Sequence, residues 1–125
     1  MRQVWLADDS AGVGRLKALH SWWDMLCETG KLYGYHTDGT KTHLLVRQDL
    51  IDQAKDIFHG TGIQITTEGV RYLGSAVGKI SFVHLFVEEK VAEWLREMRE
   101  LTGFARTELH ATFATLTHGL RSKYT

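Results

Sequence analysis

The spacing of apolar residues changes once along this chain, and the change constrains the fold more than any other feature. Up to residue 78, short β-prone runs alternate with helical stripes. Beyond residue 83 only the helical spacing of three and four residues remains. The pattern predicts an α+β fold, with a small antiparallel sheet and two packed helices over residues 1–80 and a helical segment over residues 81–125.

Two helices are predicted in the first part. One covers residues 15–29 and ends at Gly30, a residue type that commonly caps helices. The other begins at Asp49 and ends at 60–62. The residues expected to point inward are Leu16, Leu19, Trp23, Leu26 and Cys27 in the first helix, and Leu50, Ala54, Ile57 and Phe58 in the second.

Strands are predicted where β-prone runs flank turn residues. Residues 4–7 form the first strand, which turns at Asp8 to Ser10 and returns through small residues or leads into the helix. The Asp38-Gly39 pair predicts a hairpin that joins strands at 32–36 and 42–47. A strand at 63–66 and a hairpin at 70–78 complete the sheet.

Composition excludes several classes of protein. Lys and Arg together number 15, as do Asp and Glu, so the chain has no net positive charge that would indicate nucleic-acid binding. The single cysteine, Cys27, lies among apolar residues and is expected to be a buried, reduced thiol. No apolar run approaches the roughly 20 residues of a membrane span, and no signal peptide is evident. We therefore expect an intracellular protein, cytoplasmic or nuclear, without a membrane partner.

Two adjacent carboxylates, Asp8 and Asp9, directly follow the first apolar run. Carboxylate oxygens at the end of a strand are suitable ligands for a divalent metal ion that binds phosphates. Asp also accepts turn backbone angles and bonds its own main chain, so the pair has a purely structural explanation as well. The residues alone leave both interpretations open.

Three motifs carry a resemblance to a known family. They are Leu6-Ala7-Asp8-Asp9, then the segment 34–42 with Lys41 before a β-prone run, then Val70-Arg71-Tyr72-Leu73-Gly74. Their order and spacing resemble the second half of a reverse transcriptase palm that runs into the thumb. More narrowly, the residues at 7–12, 22–24 and 66–69 are similar to those of reverse transcriptases of retrotransposons.

The resemblance implies a two-metal nucleotidyl transfer to a primer 3′-hydroxyl. Asp8 would be the principal ligand of Mg²⁺, with Mn²⁺ as an alternative, and Asp9 a supporting one. Lys41 would stabilise the departing pyrophosphate. The implied partners are a primer-template and a dNTP, and the residues implied to grip the primer end are Tyr72, Leu73 and Gly74.

The chain also departs from the family pattern. Leu6 stands where the family has Tyr or Phe, and Thr37 with Asp38 stands where Pro and Asn are expected. The family's further catalytic carboxylate lies upstream of the segment that resembles this chain. With seven residues before Asp8, the isolated chain is expected to be inactive alone, and the N-terminal half of a polymerase is a further expected partner.

Two other functions remain open at this point. The chain is a non-catalytic nucleic-acid-binding or interaction module on a polymerase-like scaffold, or it is a small α+β domain in which Asp8 and Asp9 are turn residues. The last of these predicts no metal at Asp8.

Overall fold

The structure is a computed structural model that describes residues 1–121. The chain divides into two compact units, Met1–Lys79 and a second unit that begins at Ile80. The first unit combines strands with two α-helices, and the second is helical. The fold is therefore α+β, with small sheets and four α-helices in the described part of the chain.

The first unit contains six short strands and two α-helices. Single turns of 3₁₀-helix at Gly30–Tyr33, Gly39–Lys41 and Gln48–Leu50 connect them. The elements are β1 Arg2–Leu6, β2 Asp9–Val13, α1 Leu16–Thr29, β3 His43–Leu45, α2 Ile51–Ile57, β4 Gln64–Thr66, β5 Gly69–Tyr72 and β6 Ser75–Gly78.

The hairpin predicted at 70–78 is confirmed. After the first strand, the sequence allows either a returning strand or direct entry into the helix, and the structure has the returning strand. β1 pairs antiparallel with β2, from Arg2 opposite Val13 to Leu6 opposite Asp9. β5 pairs antiparallel with β6, from Gly69 opposite Gly78 to Tyr72 opposite Ser75. Helix α1, predicted over residues 15–29, is confirmed at Leu16–Thr29.

Gly30 does not have the backbone expected of a left-handed cap. Its φ is −56°, so the chain continues past it as one turn of 3₁₀-helix. Gly34, with a φ of 76°, provides the left-handed residue that ends this turn. A Cβ on Gly30 would approach the carbonyl oxygen of Tyr35 to 2.8 Å, so Gly30 is required for close packing and Gly34 for the reversal.

The hairpin predicted around Asp38-Gly39 is wrong. The residues before it form no strand, and the Asp38 carboxylate accepts hydrogen bonds from the amide and hydroxyl of Thr40, at 2.9 and 2.6 Å. These local bonds cap the 3₁₀ turn Gly39–Lys41 in place of a β-turn. A Cβ on Gly39 would collide with the carbonyl oxygen of Thr61, because the turn packs directly against that loop.

β3 pairs instead with β4, and the pair is parallel, with His43 opposite Gln64 and Leu45 opposite Thr66. Helix α2 forms the crossover between them, as parallel strands require. The expectation of one antiparallel sheet is therefore corrected to three two-stranded sheets, of which the central one is parallel.

The core of the first unit lies around this parallel pair. Ala54 and Phe58, predicted to point inward from the second helix, are 0% and 5% exposed. Leu16 of α1 and Val46, directly after β3, complete the buried cluster. Seven apolar side chains pack against it while partly exposed: Leu19, Leu44, Leu50, Ile51, Ile57, Ile63 and Ile65.

The second unit begins with a long helix, α3, over Ile80–Ala105, and continues with α4 over Leu109–Ala114. A π-helical turn follows at Thr115–Leu120. The helical character predicted beyond residue 83 is confirmed up to residue 121. None of the helices within residues 1–121 combines the length and the apolar character that a bilayer span requires.

Replacing Phe58 by alanine should lower the free energy of unfolding of the first unit by about 3 kcal/mol, because it removes the largest side chain of a small buried cluster. Urea unfolding followed by tryptophan fluorescence measures the change. Leu32→Ala is the control, since that side chain is 81% exposed, and it should change stability by less than about 0.5 kcal/mol. Equal effects of the two substitutions would contradict this location of the core.

Candidate functional site

The β1–β2 hairpin presents the two carboxylates at its tip. Ala7 and Asp8 form the two-residue turn, and Asp9 is the first residue of β2, opposite Leu6. Both aspartates are exposed. Successive residues of a regular strand point to opposite faces, and the positive φ of 53° at Ala7 interrupts that alternation directly before Asp8. The turn therefore departs from regular strand geometry where a shared metal site would need it.

Tyr35 connects this turn to the second motif. Its hydroxyl donates a hydrogen bond to the carbonyl oxygen of Asp8, at 3.2 Å, and lies 3.5 Å from the Ser10 hydroxyl. The left-handed Gly34 reverses the chain immediately before Tyr35. Two segments that are 27 residues apart in sequence are thus joined at the carboxylate turn.

Aromatic rings support the same hairpin from α1. The Trp5 ring meets the Tyr35 ring at 5.7 Å and the Trp22 ring at 6.4 Å, both edge-to-face. Gly12 leaves room for Trp22, because a Cβ there would lie 2.9 Å from the indole. The sequence pattern gives no sign of the supporting roles of Trp5 and Tyr35, because the β-prone run that contains Tyr35 predicts a strand there.

Among the described residues, Lys41 forms no ion pair with Asp8 or Asp9. It ends the 3₁₀ turn Gly39–Lys41, its side chain is 84% exposed, and its ammonium lies 3.9 Å from the Asp38 carboxylate. Hydrogen bonds from Thr40, and to a smaller extent the charge of Lys41, hold the pKa of Asp38 below its ordinary value of 3.8. The structure thus places Lys41 in the motif that carries Tyr35, but does not bring it to Asp8 or Asp9.

The third motif forms the turn of the β5–β6 hairpin. Tyr72 is opposite Ser75, and the two turn residues between them, Leu73 and Gly74, have φ values of 50° and 75°. Positive φ at both positions is the requirement of a type I′ turn, for which Asn-Gly is the preferred pair. Leu73 is 51% exposed at the tip, in a backbone conformation that disfavours it. The base of this hairpin is closed by Lys79 and Glu68.

That closing ion pair is short, with the Lys79 ammonium 2.6 Å from a Glu68 carboxylate oxygen. The hydrogen bond and the charge of Lys79 lower the pKa of Glu68. Within the described residues, the hydroxyl of Tyr72 is buried and has no hydrogen-bond partner. Tyr72 is thus the one predicted primer-grip residue with a polar side-chain atom, and that atom is buried.

The donor atoms at the first turn fit Mg²⁺, because Asp8 and Asp9 offer hard carboxylate oxygens that are accessible. Within residues 1–121, no group of three or more His, Cys, Asp or Glu side chains is arranged to hold a metal ion. The turn thus offers two carboxylates as candidate ligands.

Leu73→Asn should raise the free energy of unfolding by about 0.5–1 kcal/mol, because Asn tolerates positive φ and creates the preferred Asn-Gly pair. Gly74→Ala should lower it by about 1 kcal/mol, since it places a Cβ at a φ of 75°. Urea unfolding of the three proteins measures both changes. A destabilised Leu73→Asn variant would show that Leu73 is not strained.

The lowered pKa of Asp38 makes its contribution to stability dependent on pH. The stabilisation is present above the carboxyl's ordinary pKa and is lost as the pH falls through the lower pKa of the folded state. Wild type should therefore be more stable than Asp38→Asn at neutral pH, and the difference should shrink progressively as the pH falls below 3.8. Thermal unfolding at a series of pH values measures it.

Asp38→Ala is the matched variant for this test. A protonated Asp38 and an asparagine both keep an acceptor oxygen for the Thr40 amide, whereas alanine does not. The deficit of Asp38→Ala should therefore persist at acid pH. If the difference in stability between wild type and Asp38→Asn did not change with pH, the charge of Asp38 would not be what stabilises the turn Gly39–Lys41.

Comparisons of the chain with protein-family models, with curated proteins and with solved structures gave no match. The resemblance to reverse transcriptases thus depends on the residues of three sequence motifs alone.

Proposed function

We propose that this chain is part of the palm of an RNA-directed DNA polymerase, followed by the start of its thumb. One observation supports the proposal above the others. Among the described residues, only Ala7 and Leu73 are non-glycine residues with positive φ. Ala7 directly precedes Asp8 in the first motif, and Leu73 lies at the centre of the third.

Backbone strain is more frequent at functional turns than elsewhere. A left-handed conformation costs an L-residue about 1 kcal/mol, and glycine or asparagine would avoid most of that cost. Turn stability alone therefore does not explain alanine at position 7 or leucine at position 73. A function for these two side chains explains their presence. Alanine at position 7 places a small side chain beside the carboxylates, and leucine at position 73 offers an apolar side chain to a primer strand.

At the first turn, Asp8 and Asp9 would hold Mg²⁺. The ion, when bound, would supply positive charge to phosphate oxygens of the nucleotide and the primer end. Tyr35 would position the turn, because its hydroxyl binds the Asp8 carbonyl oxygen and leaves the carboxylate free to bind metal. The proposed role of Lys41 is to place a cation near the departing pyrophosphate, which requires it to leave Asp38.

At the third turn, Leu73 and Gly74 would contact the primer strand. Gly74 has no Cβ, and no atom lies within 4 Å of the position that one would occupy. A sugar-phosphate backbone can therefore approach the main chain closely at this tip. The buried Tyr72 hydroxyl would stay beneath the contact surface.

Complete catalysis would need a carboxylate from another polypeptide segment, since this turn offers two ligands. The proposed partners are that segment, a primer-template and a dNTP. Binding of metal by the isolated chain should accordingly be weak, with a dissociation constant on the order of 10⁻³ M.

Titration with Mn²⁺ tests the metal turn. Mn²⁺ broadens NMR signals steeply with proximity, so the amide resonances of residues 7–10 and of Tyr35 should broaden first, because Tyr35 contacts the turn. Asp8→Asn should abolish this selective broadening, since it removes the principal charged ligand.

The matched control is Asp56→Asn, which removes the same charge from an exposed position on α2. It should leave the broadening around Asp8 unchanged. Broadening that persists in Asp8→Asn, or that begins at other carboxylates in wild type, would refute the metal turn and favour turn chemistry for Asp8 and Asp9. Selective binding of an RNA–DNA hybrid without any metal effect would favour the non-catalytic module.

A further inference from the structure

Helix α3 carries an exposed row of apolar side chains that the polymerase proposal does not use. Ile80, Val87, Val91 and Leu95 are 78%, 50%, 43% and 51% exposed, and we call these four residues the α3 stripe. At 100° per residue they lie within a narrow arc of one helix face. Four exposed large apolar residues on a single face are typical of a contact surface.

The positions on this face follow one repeated spacing. They are 80, 84, 87, 91, 95, 98 and 102, with His84, Met98 and Thr102 between and beyond the stripe residues. The steps of four, three and four residues therefore occur in the same order on either side of Val91. Steps of four, three and four repeat every 11 residues, which keeps the stripe nearly parallel to the helix axis. In an antiparallel copy related by an axis midway between Val91 and Leu95, positions 84 and 102 fall opposite each other, as do 91 and 95. Positions 87 and 98 each fall within one residue of a face position.

Two opposite charges lie beside the stripe on the same side. Glu88 and Arg99 are both exposed, and within residues 1–121 neither has an ion-pair partner. They are separated by about 16 Å along their own helix, which prevents them from pairing within one chain. Each is thus available to a charge on another molecule.

We propose that the α3 stripe binds the α3 stripe of a second copy of this chain, with the two helices antiparallel. A two-fold axis midway between Val91 and Leu95 places each Val91 opposite the partner's Leu95. The same axis brings Glu88 level with the partner's Met98, one residue from the partner's Arg99. Two symmetrical Glu88–Arg99 ion pairs then flank the apolar contact.

The charges select this direction over the parallel one. In an antiparallel pair, the same side of each helix meets its equivalent on the partner, so Glu88 and Arg99 approach each other. In a parallel pair in register they lie on opposite sides of the contact and about 16 Å apart along the axis. The contact spans about five helical turns, which favours a weak and reversible dimer.

Sedimentation velocity of the full chain between about 5 and 500 µM tests the dimer by mass action. Wild type should convert from monomer to dimer within this range. Val91→Lys should weaken the dimer more than about tenfold, because it places two cations at the centre of the contact. Leu85→Lys is the control. Leu85 is 61% exposed but lies on another side of α3, so this variant should dimerise with the same affinity as wild type.

A charge exchange tests the direction. Glu88→Arg and Arg99→Glu should each weaken the dimer about tenfold, since each places like charges in both pairs. The double variant Glu88→Arg/Arg99→Glu should restore wild-type affinity. Circular dichroism checks that every variant keeps its helix content.

Three results would overturn the inference: a monomer at every concentration of wild type, equal effects of Val91→Lys and Leu85→Lys, or a double variant as weak as the single ones. The outcome does not depend on whether Asp8 and Asp9 bind metal, because the dimer residues belong to α3 whereas the Mn²⁺ titration tests the turn between β1 and β2.

Discussion

The parallel pairing of β3 with β4 organises the first unit. A parallel pair needs a crossover, and here the crossover contains α2. Ala54 in α2 and Phe58 directly after it are the most deeply buried apolar residues in the described part of the chain. The His20 ring of α1 then meets Phe58 edge-to-face, at 5.3 Å. Two-stranded sheets are marginally stable alone, so the burial beside this pair is what holds the first unit together.

The candidate site depends on this arrangement through the segment that leads into β3. Tyr35 lies in that segment, and its hydroxyl holds the Asp8 turn from outside the hairpin. The Trp5 and Trp22 rings support the contact from β1 and α1. Side chains from outside the turn thus set the position of Asp8.

Much of the local structure followed from sequence patterns. The apolar spacing of α1 and the β-prone runs around residues 69–78 predicted their elements correctly, because neighbouring residues decide both. The same reasoning failed at Asp38-Gly39, a pair with strong hairpin preference. There the Asp38 carboxylate bound Thr40, and the strand that follows found its partner 21 residues away, at β4.

By itself, the sequence determined the two helical stripes, the β5–β6 hairpin and the residues of the three motifs. These features depend on spacing and on the conformational preferences of single residues. Only the tertiary structure decided the parallel pairing of β3, the tie between Tyr35 and Asp8, and the separation of Lys41 from the carboxylates. Those features depend on which distant segments pack together, and the free energy of packing is a property of the whole core that no local pattern encodes.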